Sequence, residues 1–366
     1  MSETFYDLPK YPVTVDMWDN IKRESRPIVV YGMGNGGDKL VKRLSLYGVT
    51  VSDFFASDGF VRGQLFHGKR VLSFAQIREK YKDFVVLVSF GSSREEVIEL
   101  IEKLSREVDM YLPDMPVADE EEYFDKDFYN KNYESILTAY GALADDTSRE
   151  IFSSVIHYKL SGRLNFLLSK CVNTDEIYSL LPYDRIFSLV DAGAYNGDTV
   201  RDAIKYFPNL KTVYAVEPDV KTYKRLLKYI NTVEYPCVKP INAAVWSESR
   251  EGSFISSGNR NSSVNSTASF EHKETPIPLI TVDSLSVATD YIKYDVEGAE
   301  FEALIGSHNT IENYRPALLV SAYHRSRDIF SLVNYLSDKY PFYNVYVRRT
   351  KCLPAWELNL ILVNKA

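Results

Sequence analysis

Short apolar runs that end abruptly in polar or glycine-rich residues mark the predicted strands of this chain. The clearest run covers residues 186–190 and ends at Asp191, which Gly193 and Gly197 follow before helical spacing over 200–206. This pattern predicts a buried parallel strand that leads through a glycine turn into a helix. Glycine lets the backbone approach a ligand closely, and open α/β sheets bind ligands at the carboxyl ends of their strands. The turn is therefore a candidate ligand site, although the pattern by itself is a weak signal.

Three further apolar runs support that interpretation. The run at 212–216 ends in Glu217, which lies 20 residues after the second glycine of the turn. An acidic residue at the tip of the second strand usually accepts hydrogen bonds from both hydroxyls of a ribose. The run at 238–245 contains small residues that leave room for a flat base, and the run at 291–294 continues into Asp295. Together these runs predict a nucleotide-type site at one edge of an α/β sheet.

The first third of the chain carries another strand–turn–helix pattern. An apolar run at 27–31 leads into residues 32–37, which match G-x-G-x-x-G, and a helix is predicted over 38–46. The next strand ends near Asp58, 21 residues after the last glycine. These segments predict a small Rossmann-like unit over 27–110. Its turn either binds a nucleotide or belongs to a scaffold without a ligand, and we favour the scaffold because many folds with this turn bind no dinucleotide.

Between the two units the pattern becomes helical. Acidic residues and two prolines at 113–122 mark a boundary, and the segments 122–144 and 148–170 repeat apolar residues at helical spacing. We expect two or three helices there that bridge the sheets. A polar stretch at 253–274, rich in Ser, Asn and Gly, is predicted to form a mobile loop over the site.

Composition and charge narrow the functional classes. The 366 residues are enough for two domains, and the formal net charge of −7 argues against a general nucleic-acid binder, which is normally basic. No apolar run approaches the ~20 residues of a membrane span. The first residues lack the pattern of a secretory signal. The three cysteines lie far apart and form no metal-ligand spacing, so we expect reduced thiols in the cytoplasm.

Several motifs occur in an order that resembles a known family. Over residues 186–363 the chain contains, in this order, DAGAYNGDT, YAVEPD, NAAV, the Ser262-Ser263 pair, TVDSL, IKYDVEGAE, RPALLVSAYH and YVRRT…WELNLILV. Together they resemble the FkbM-type family of S-adenosylmethionine-dependent methyltransferases. The resemblance implies S-adenosylmethionine as the cofactor and a carbohydrate or a related hydroxyl compound as the methyl acceptor.

The predicted fold class is α/β, with two Rossmann-like domains joined by a helical linker. The expected division is a Rossmann-like N-terminal domain at 1–112, a helical linker at 113–182 and a methyltransferase domain at 183–366. The resemblance implies that the last of these contains a class I methyltransferase sheet with an antiparallel terminal strand.

The motifs also assign residues to the site. The expected cofactor-binding residues are Asp191, Gly193, Tyr195, Asn196, Gly197, Asp198, Thr199, Glu217, Pro218, Asn242, Ala243, Asp295 and Glu297. Asp295 and His324 are the candidates for the base that removes the proton of the acceptor hydroxyl, and Asp295 is the leading one. In the alternative interpretation Asp295 only orients the cofactor. Arg348 and Arg349 either bind an anionic acceptor or lie exposed at a sheet edge. No bound metal is expected, because the resemblance does not require one.

Two other functional classes stay open. One is an NAD(P)-dependent sugar oxidoreductase or epimerase that uses the N-terminal unit. The Tyr-x-x-x-Lys spacing common in that chemistry occurs near this unit only at Tyr6 and Lys10, where Pro9 intervenes. The other is a sugar-nucleotide-binding protein without catalysis. We expect a small-molecule or carbohydrate partner, no nucleic acid and no membrane span, and leave assembly into a homo-oligomer open.

Overall fold

The computed structural model describes residues 7–118, 122–255, 263–264 and 274–365. The first range begins with an N-terminal helix and continues as an alternation of strands and helices. Its elements are α1 (Met17–Lys22), β1 (Ile28–Tyr31), α2 (Asn35–Leu46), β2 (Asp53–Phe55), β3 (Leu65–Phe66), β4 (Lys69–Arg70), α3 (Phe74–Lys80), β5 (Val85–Val88), α4 (Glu95–Glu107) and β6 (Asp109–Tyr111).

The N-terminal sheet is parallel and has the strand order β2-β1-β5-β6. Successive residues of β1 enter two different apolar clusters, Val29 and Tyr31 on one face and Ile28 and Val30 on the other. Because both faces are covered, the strand is apolar throughout instead of alternating. The helix after the glycine turn begins at Asn35, three residues earlier than predicted from the apolar spacing.

The connecting region contains more and shorter helices than expected. Over 122–170 the structure forms four helices, and a fifth follows. The predicted segment 148–170 ends its first helix at Gly162, which adopts φ +64° and donates its N–H to the carbonyl of Tyr158. A Cβ at Gly162 would overlap the sulfur of Met17, so this break also lets the helix pack against α1. The helices are α5 (Lys126–Lys131), α6 (Tyr133–Ala142), α7 (Asp146–Ser161), α8 (Leu164–Ser169) and α9 (Thr174–Ser179).

The C-terminal half is built on a larger sheet. Its elements are β7 (Ser188–Ala192), α10 (Asp198–Tyr206), β8 (Thr212–Val216), α11 (Val220–Ile230), β9 (Cys237–Ile241), β10 (Ala244–Val245), β11 (Arg250–Ile255), β12 (Ser263–Val264), β13 (Glu274–Ile280), β14 (Tyr291–Tyr294), α12 (Glu300–Ile305), α13 (His308–Tyr314), β15 (Ala317–Ser321), α14 (Asp328–Lys339), β16 (Tyr343–Arg349) and β17 (Leu358–Asn364).

This larger sheet has seven strands in the order β16-β17-β15-β14-β7-β8-β9. Only its last strand in sequence, β17, runs antiparallel to its neighbours β15 and β16. The predicted α/β class and the antiparallel terminal strand are therefore confirmed. The chain leaves β7 toward β8 and β9 and then returns to β14 on the other side. The strand order reverses at β7, and ligands bind outside the carboxyl ends of the strands at such a point.

The apolar segment at 238–245 proved to contain two strands and not one. β9 ends at Ile241, and β10 belongs to a separate sheet with the order β10-β13-β11-β12. The predicted loop at 253–274 is entered by β11 and left by β13. The Ser262-Ser263 pair and the rest of that loop lie largely outside the described residues, so its predicted mobility stays a prediction.

One apolar cluster connects all three segments of the chain. Val29 of β1, Val155 of α7 and Leu189 of β7 belong to it. The division at 1–112, 113–182 and 183–366 therefore stays a prediction, since the core does not separate along these boundaries. None of the helices in the described residues has the length and apolar character that a membrane span requires.

Candidate functional site

A cavity of ≈ 280 Å³ opens at the carboxyl edge of the seven-stranded sheet, where the strand order reverses. Nine of the thirteen residues predicted to bind the cofactor line it. They are Gly193, Tyr195, Asp198, Thr199, Glu217, Pro218, Ala243, Asp295 and Glu297. The other four predicted residues, Asp191, Asn196, Gly197 and Asn242, do not line the cavity. His324 does not line it either.

The two glycines of the turn are needed for packing against the chain itself. Gly193 has φ +88°, and a Cβ there would overlap the carbonyl oxygen of Asp295. Gly197 has φ +87°, and a Cβ there would overlap the ring of Tyr229 on α11. Their conformations let the turn close against the end of β14 and against α11, which shapes the cavity wall. The close approach of a ligand, expected from the sequence, stays a prediction.

Glu217 ties the glycine turn to the second strand. Its Oε2 accepts the N–H of Tyr195 at 2.9 Å, and its Oε1 accepts the N–H of Asp219 at 2.8 Å. Each carboxylate oxygen has a second lone pair, so both oxygens can still accept a hydroxyl from the cavity. Asn242 supports this tip from behind by donating to the carbonyl oxygens of Glu217 and Pro218. Burial, only partly offset by the two backbone N–H groups, raises the pKa of Glu217 to about 8.

Asp191 is a buried carboxyl without a hydrogen bond. It lies in β7 beside Lys293 of β14, and both of its oxygens lack a partner among the described residues. Burial raises its pKa to about 7, while the Lys293 charge and the neighbouring Thr199 hydroxyl act in the opposite direction. A buried acid in this state is costly for the fold, which suggests a role beyond packing.

The charges around the cavity are mostly negative. Seven carboxyl side chains line it against one basic side chain, Lys293. S-adenosylmethionine carries a sulfonium and an ammonium group, and its ribose offers two hydroxyl donors. An acidic cavity with a free lone pair on each oxygen of Glu217 therefore fits this cofactor in charge and in hydrogen bonding.

Asp295 sits at the end of β14 within a polar network. Lys293 Nζ lies 3.3 Å from its Oδ2, and the Tyr323 hydroxyl donates to its Oδ1 at 3.2 Å. Burial would raise its pKa, but the charges of Lys293 and His324 outweigh that effect and lower the pKa to about 2. The side chain remains 31% exposed and lines the cavity, so an ionised carboxylate faces the space where an acceptor would enter.

His324 lies behind Asp295 and is only 1% exposed. Its Nε2 is 3.6 Å from Asp295 Oδ1 and 3.4 Å from Glu297 Oε2, and its Nδ1 is 3.0 Å from Glu300 Oε1. Burial lowers its pKa, but Glu300 and Glu297 outweigh that effect and hold the pKa well above the ordinary value. Because β14 and β15 pair side by side, the two candidates for the base, Asp295 and His324, lie together after their carboxyl ends. Their chemical roles stay predictions.

Several lining residues were not predicted from the sequence. Helix α9 of the connecting region contributes Thr174, Ile177 and Tyr178. Glu357, just before β17, and Asn359 of β17 also line the cavity. No local pattern in α9 indicates a ligand, because its position over the cavity comes from tertiary packing.

Both interpretations of Arg348 and Arg349 were wrong. The two side chains are buried, and neither lines this cavity. Arg348 Nη2 is 2.6 Å from Asp145 Oδ2, while Arg349 donates to the carbonyl of Leu167 at 2.8 Å. Both residues therefore fasten β16 to the helices of the connecting region.

Comparison with known proteins agrees with this geometry. Residues 191–340 match the family model described as the methyltransferase FkbM domain. The structure resembles that of methyltransferase FkbM from Methylobacillus flagellatus KT, with a TM-score of 0.69 and 20% identity over 93% of this chain and 90% of that chain. At this identity the likeness shows a shared fold across both halves. The comparison with curated proteins finds no match.

Two other solved structures are similar over about half of the chain. Precorrin-6y C5,15-methyltransferase from Geobacter metallireducens GS-15 has a TM-score of 0.34 and 14% identity over 52% of this chain and 87% of that chain. An rRNA methylase from Streptococcus thermophilus has a TM-score of 0.34 and 11% identity over 52% of this chain and 93% of that chain. These two scores are too low to support any argument about the site.

Proposed function

Because residues 191–340 match the model of the methyltransferase FkbM domain, we propose that the protein transfers a methyl group from S-adenosylmethionine to a hydroxyl of a carbohydrate or a related acceptor. Such a reaction belongs to the biosynthesis of cell-surface polysaccharides or nucleotide sugars. We place it in the cytoplasm, on the basis of three free cysteines.

Glu217 and the glycine turn are proposed to hold the cofactor. Glu217 is 6% exposed, lines the cavity and keeps one free lone pair on each oxygen for the ribose hydroxyls. Gly193 and Tyr195 line the same cavity, and the Tyr195 N–H donates to Glu217. When bound, S-adenosylmethionine supplies a methyl group on a sulfonium, which is electrophilic without covalent help from the protein.

The observation that carries the proposed reaction is the position of Asp295. It reaches the cavity from the end of β14, beside the Tyr323 hydroxyl and within the family-matched residues. A hydroxyl acceptor must lose its proton as the new oxygen–carbon bond forms, and a carboxylate at that edge can accept it. Asp295 is therefore proposed as the base, with Tyr323 fixing the orientation of its carboxylate.

His324 is proposed as a positioning residue. Because it is buried behind Asp295 and does not line the cavity, an acceptor cannot reach it without a rearrangement. Its contacts with Asp295 and Glu297 place it where it can fix the two carboxylates that do face the cavity. Replacing it is expected to disturb acceptor positioning more than proton transfer.

A polar cavity wall supports the carbohydrate as acceptor. Tyr178, Tyr195 and Tyr323 line the cavity, and the exposed fraction of Tyr195 is 37%. Tyrosine combines an apolar ring face with a hydroxyl, which suits the stacked and hydrogen-bonded contacts that sugars make. Asn359 and Glu357 add further polar atoms to the same wall.

A panel of acceptors tests the proposal. The purified protein is incubated with S-adenosylmethionine and a series of monosaccharides, nucleotide sugars and oligosaccharides, and formation of S-adenosylhomocysteine is measured. Asp295→Asn keeps the size of the side chain but removes the charge. We expect it to lower kcat by ~10²-fold or more, since general-base help is typically worth ~10²–10⁴-fold, while the Kd of S-adenosylhomocysteine changes little.

The matched control is Asp290→Asn, a carboxylate near the amino end of the same strand. Asp290 accepts the N–H of Ser188 of β7 at 2.9 Å and does not line the cavity, so its replacement should leave kcat within a few-fold of the wild-type value. Methylation of proteins or RNA but of no hydroxyl compound would overturn the acceptor class. Near-normal turnover of Asp295→Asn would overturn the assignment of the base.

A further inference from the structure

His324 is surrounded by more carboxyl groups than an ordinary buried ion pair requires. Asp295 and Glu297 face its Nε2, and Glu300 faces its Nδ1. Asp328, only 4% exposed, adds a fourth carboxyl group that interacts with both Glu300 and His324. Lys293 lies 3.3 Å from Asp295, and the charge of Arg325 acts on Asp328. The four acids still outnumber these two bases and the imidazole, which favours a bound cation.

The spacing of three of these side chains suits a metal ion. Asp295, Glu300 and His324 each offer one ligand atom, and the three atoms lie within 4.8 Å of one another. First-row dications bind oxygen and nitrogen ligands at about 2.0–2.2 Å, so two ligands of one ion lie between about 3 and about 4.2 Å apart, and His324 can offer it only one ring nitrogen. The three side chains would therefore have to move together by about 0.6 Å or more to close the site.

A buried oxygen without a partner distinguishes this group from an acidic cluster in which every polar atom is paired. Glu300 is 1% exposed, and although its Oε1 accepts the N–H of Val296 at 2.9 Å, its Oε2 is buried without a hydrogen bond. His324 Nδ1 lies 3.0 Å from Glu300 Oε1, so of these atoms Glu300 Oε2 is the one without a partner among the described residues. A buried carboxylate oxygen normally has a partner, and its position in this cluster points to a missing ligand.

We propose that Asp295, Glu300 and His324 bind a divalent transition-metal ion at the floor of the acceptor cavity, with Glu297 as the neighbouring carboxylate on the cavity side. Two carboxylates and one imidazole suit ions such as Mn²⁺ better than Mg²⁺ or Ca²⁺, which prefer oxygen ligands alone. This proposal differs from the expectation, drawn from the sequence, that no metal is bound.

The inferred site deepens the proposed function and rests on it. Of the three ligands Asp295 lines the cavity, so an ion held there would present its open positions toward the acceptor. A hydroxyl oxygen bound to the ion in place of a water would be held near the cofactor and made more acidic. Asp295 would then hold the ion with one oxygen and leave the other for the proton.

Mn²⁺ alone serves as the probe. The full-length protein is treated with EDTA and dialysed, and Mn²⁺ binding is followed by electron paramagnetic resonance and by thermal unfolding. We expect one ion per chain, with Kd in the micromolar range and a rise in Tm when Mn²⁺ is added. Glu300→Gln should weaken binding at least tenfold. Glu302→Gln, on the same helix but outside the cluster, should bind as the wild type does.

Because Glu300→Gln changes a buried residue, Glu297→Gln provides a second variant at a side chain that is 31% exposed. We expect it to weaken Mn²⁺ binding less than Glu300→Gln does. Absence of binding, or binding that Glu300→Gln and Glu297→Gln both leave unchanged, would overturn the proposal and leave a buried histidine–glutamate ion pair. If EDTA leaves methyl transfer intact and Mn²⁺ does not bind, only the metal site fails. If S-adenosylhomocysteine does not bind, the proposed function fails independently.

Discussion

The contact of Glu217 with the cofactor can be tested by replacing it with alanine. In the free protein the carboxylate accepts two backbone N–H groups, from Tyr195 and Asp219, and still lines the cavity with a lone pair free on each oxygen. Glu217→Ala removes the acceptors for the ribose hydroxyls and also releases the glycine turn from the tip of β8. Both effects should weaken cofactor binding.

The magnitude follows from the number of hydrogen bonds lost. Hydrogen bonds to a charged group contribute about 1.5–3 kcal/mol each. Because the pKa of Glu217 is raised, ionising this carboxyl at neutral pH costs free energy and offsets part of that contribution. We therefore expect a net loss of ~1–3 kcal/mol, which corresponds to a Kd for S-adenosylmethionine raised by ~5–150-fold.

The assay must separate the loss of ribose contacts from the loosening of the turn. Isothermal titration is carried out with S-adenosylhomocysteine and with its 2′-deoxyribose analogue, on both the wild type and Glu217→Ala. If the carboxylate binds the ribose, the analogue binds the wild type more weakly than S-adenosylhomocysteine does, and the two ligands bind the variant equally well. The difference isolates the contact in the manner of a double-mutant cycle.

Two results would refute this reasoning. An unchanged Kd in a correctly folded variant would show that Glu217 only closes the turn. An equal penalty for the deoxy analogue in both proteins would show that the ribose lies elsewhere in the cavity.

Three further predictions concern the turn, the N-terminal half and the buried acid. Gly193→Ala should abolish binding of S-adenosylhomocysteine and lower Tm, because Gly193 has a φ of +88° and an added Cβ would overlap Asp295. The control Gly34→Ala, where no atom lies within 4 Å of an added Cβ, should bind S-adenosylhomocysteine as the wild type does. The N-terminal turn should not bind NAD tightly, and methyl transfer should not need NAD; micromolar NAD binding that Gly34→Val abolishes would contradict this and support an oxidoreductase. Asp191→Asn should raise the Tm of the free protein more at pH 8 than at pH 5, because burial raises the pKa of Asp191 to about 7 and the cost of that shift is complete only above this pH; an equal shift at both pH values would argue against a buried ionisable carboxyl.

Strand positions were predicted well where apolar runs end at polar residues. The predicted runs 212–216 and 291–294 coincide with β8 and β14. The segment 238–245 was misjudged because β10 pairs with β13, and Ala244 meets Leu279 in a strand far along the chain. A pairing of only two residues leaves no periodic signal to detect.

The candidate site shows the same division between local and tertiary information. Gly193, Glu217 and Asp295 meet at one edge because parallel neighbouring strands end there, which the order of motifs already implies. The burial of Arg348 could not be predicted, since its partner Asp145 is 203 residues away in sequence. The contribution of Tyr178 was missed because tertiary packing, and no local sequence pattern, brings α9 to the cavity.

The buried acids connect the stability of the fold to its ligand. Asp191 and Glu217 have pKa values raised to about 7 and about 8 by burial. An acid whose pKa is higher in the folded than in the unfolded chain stabilises the fold fully at low pH, and this contribution is lost as pH rises through the folded pKa. Between pH 6 and pH 8 the free protein should therefore lose roughly 4 kcal/mol of stability, at about 1.36 kcal/mol per pH unit for each carboxyl that is ionised in the unfolded chain and still protonated in the folded chain. Binding of a cationic ligand favours the ionised form of both carboxyls and would restore part of this loss. The empty protein is therefore least stable at the pH at which both carboxylates are ionised and able to bind the cation.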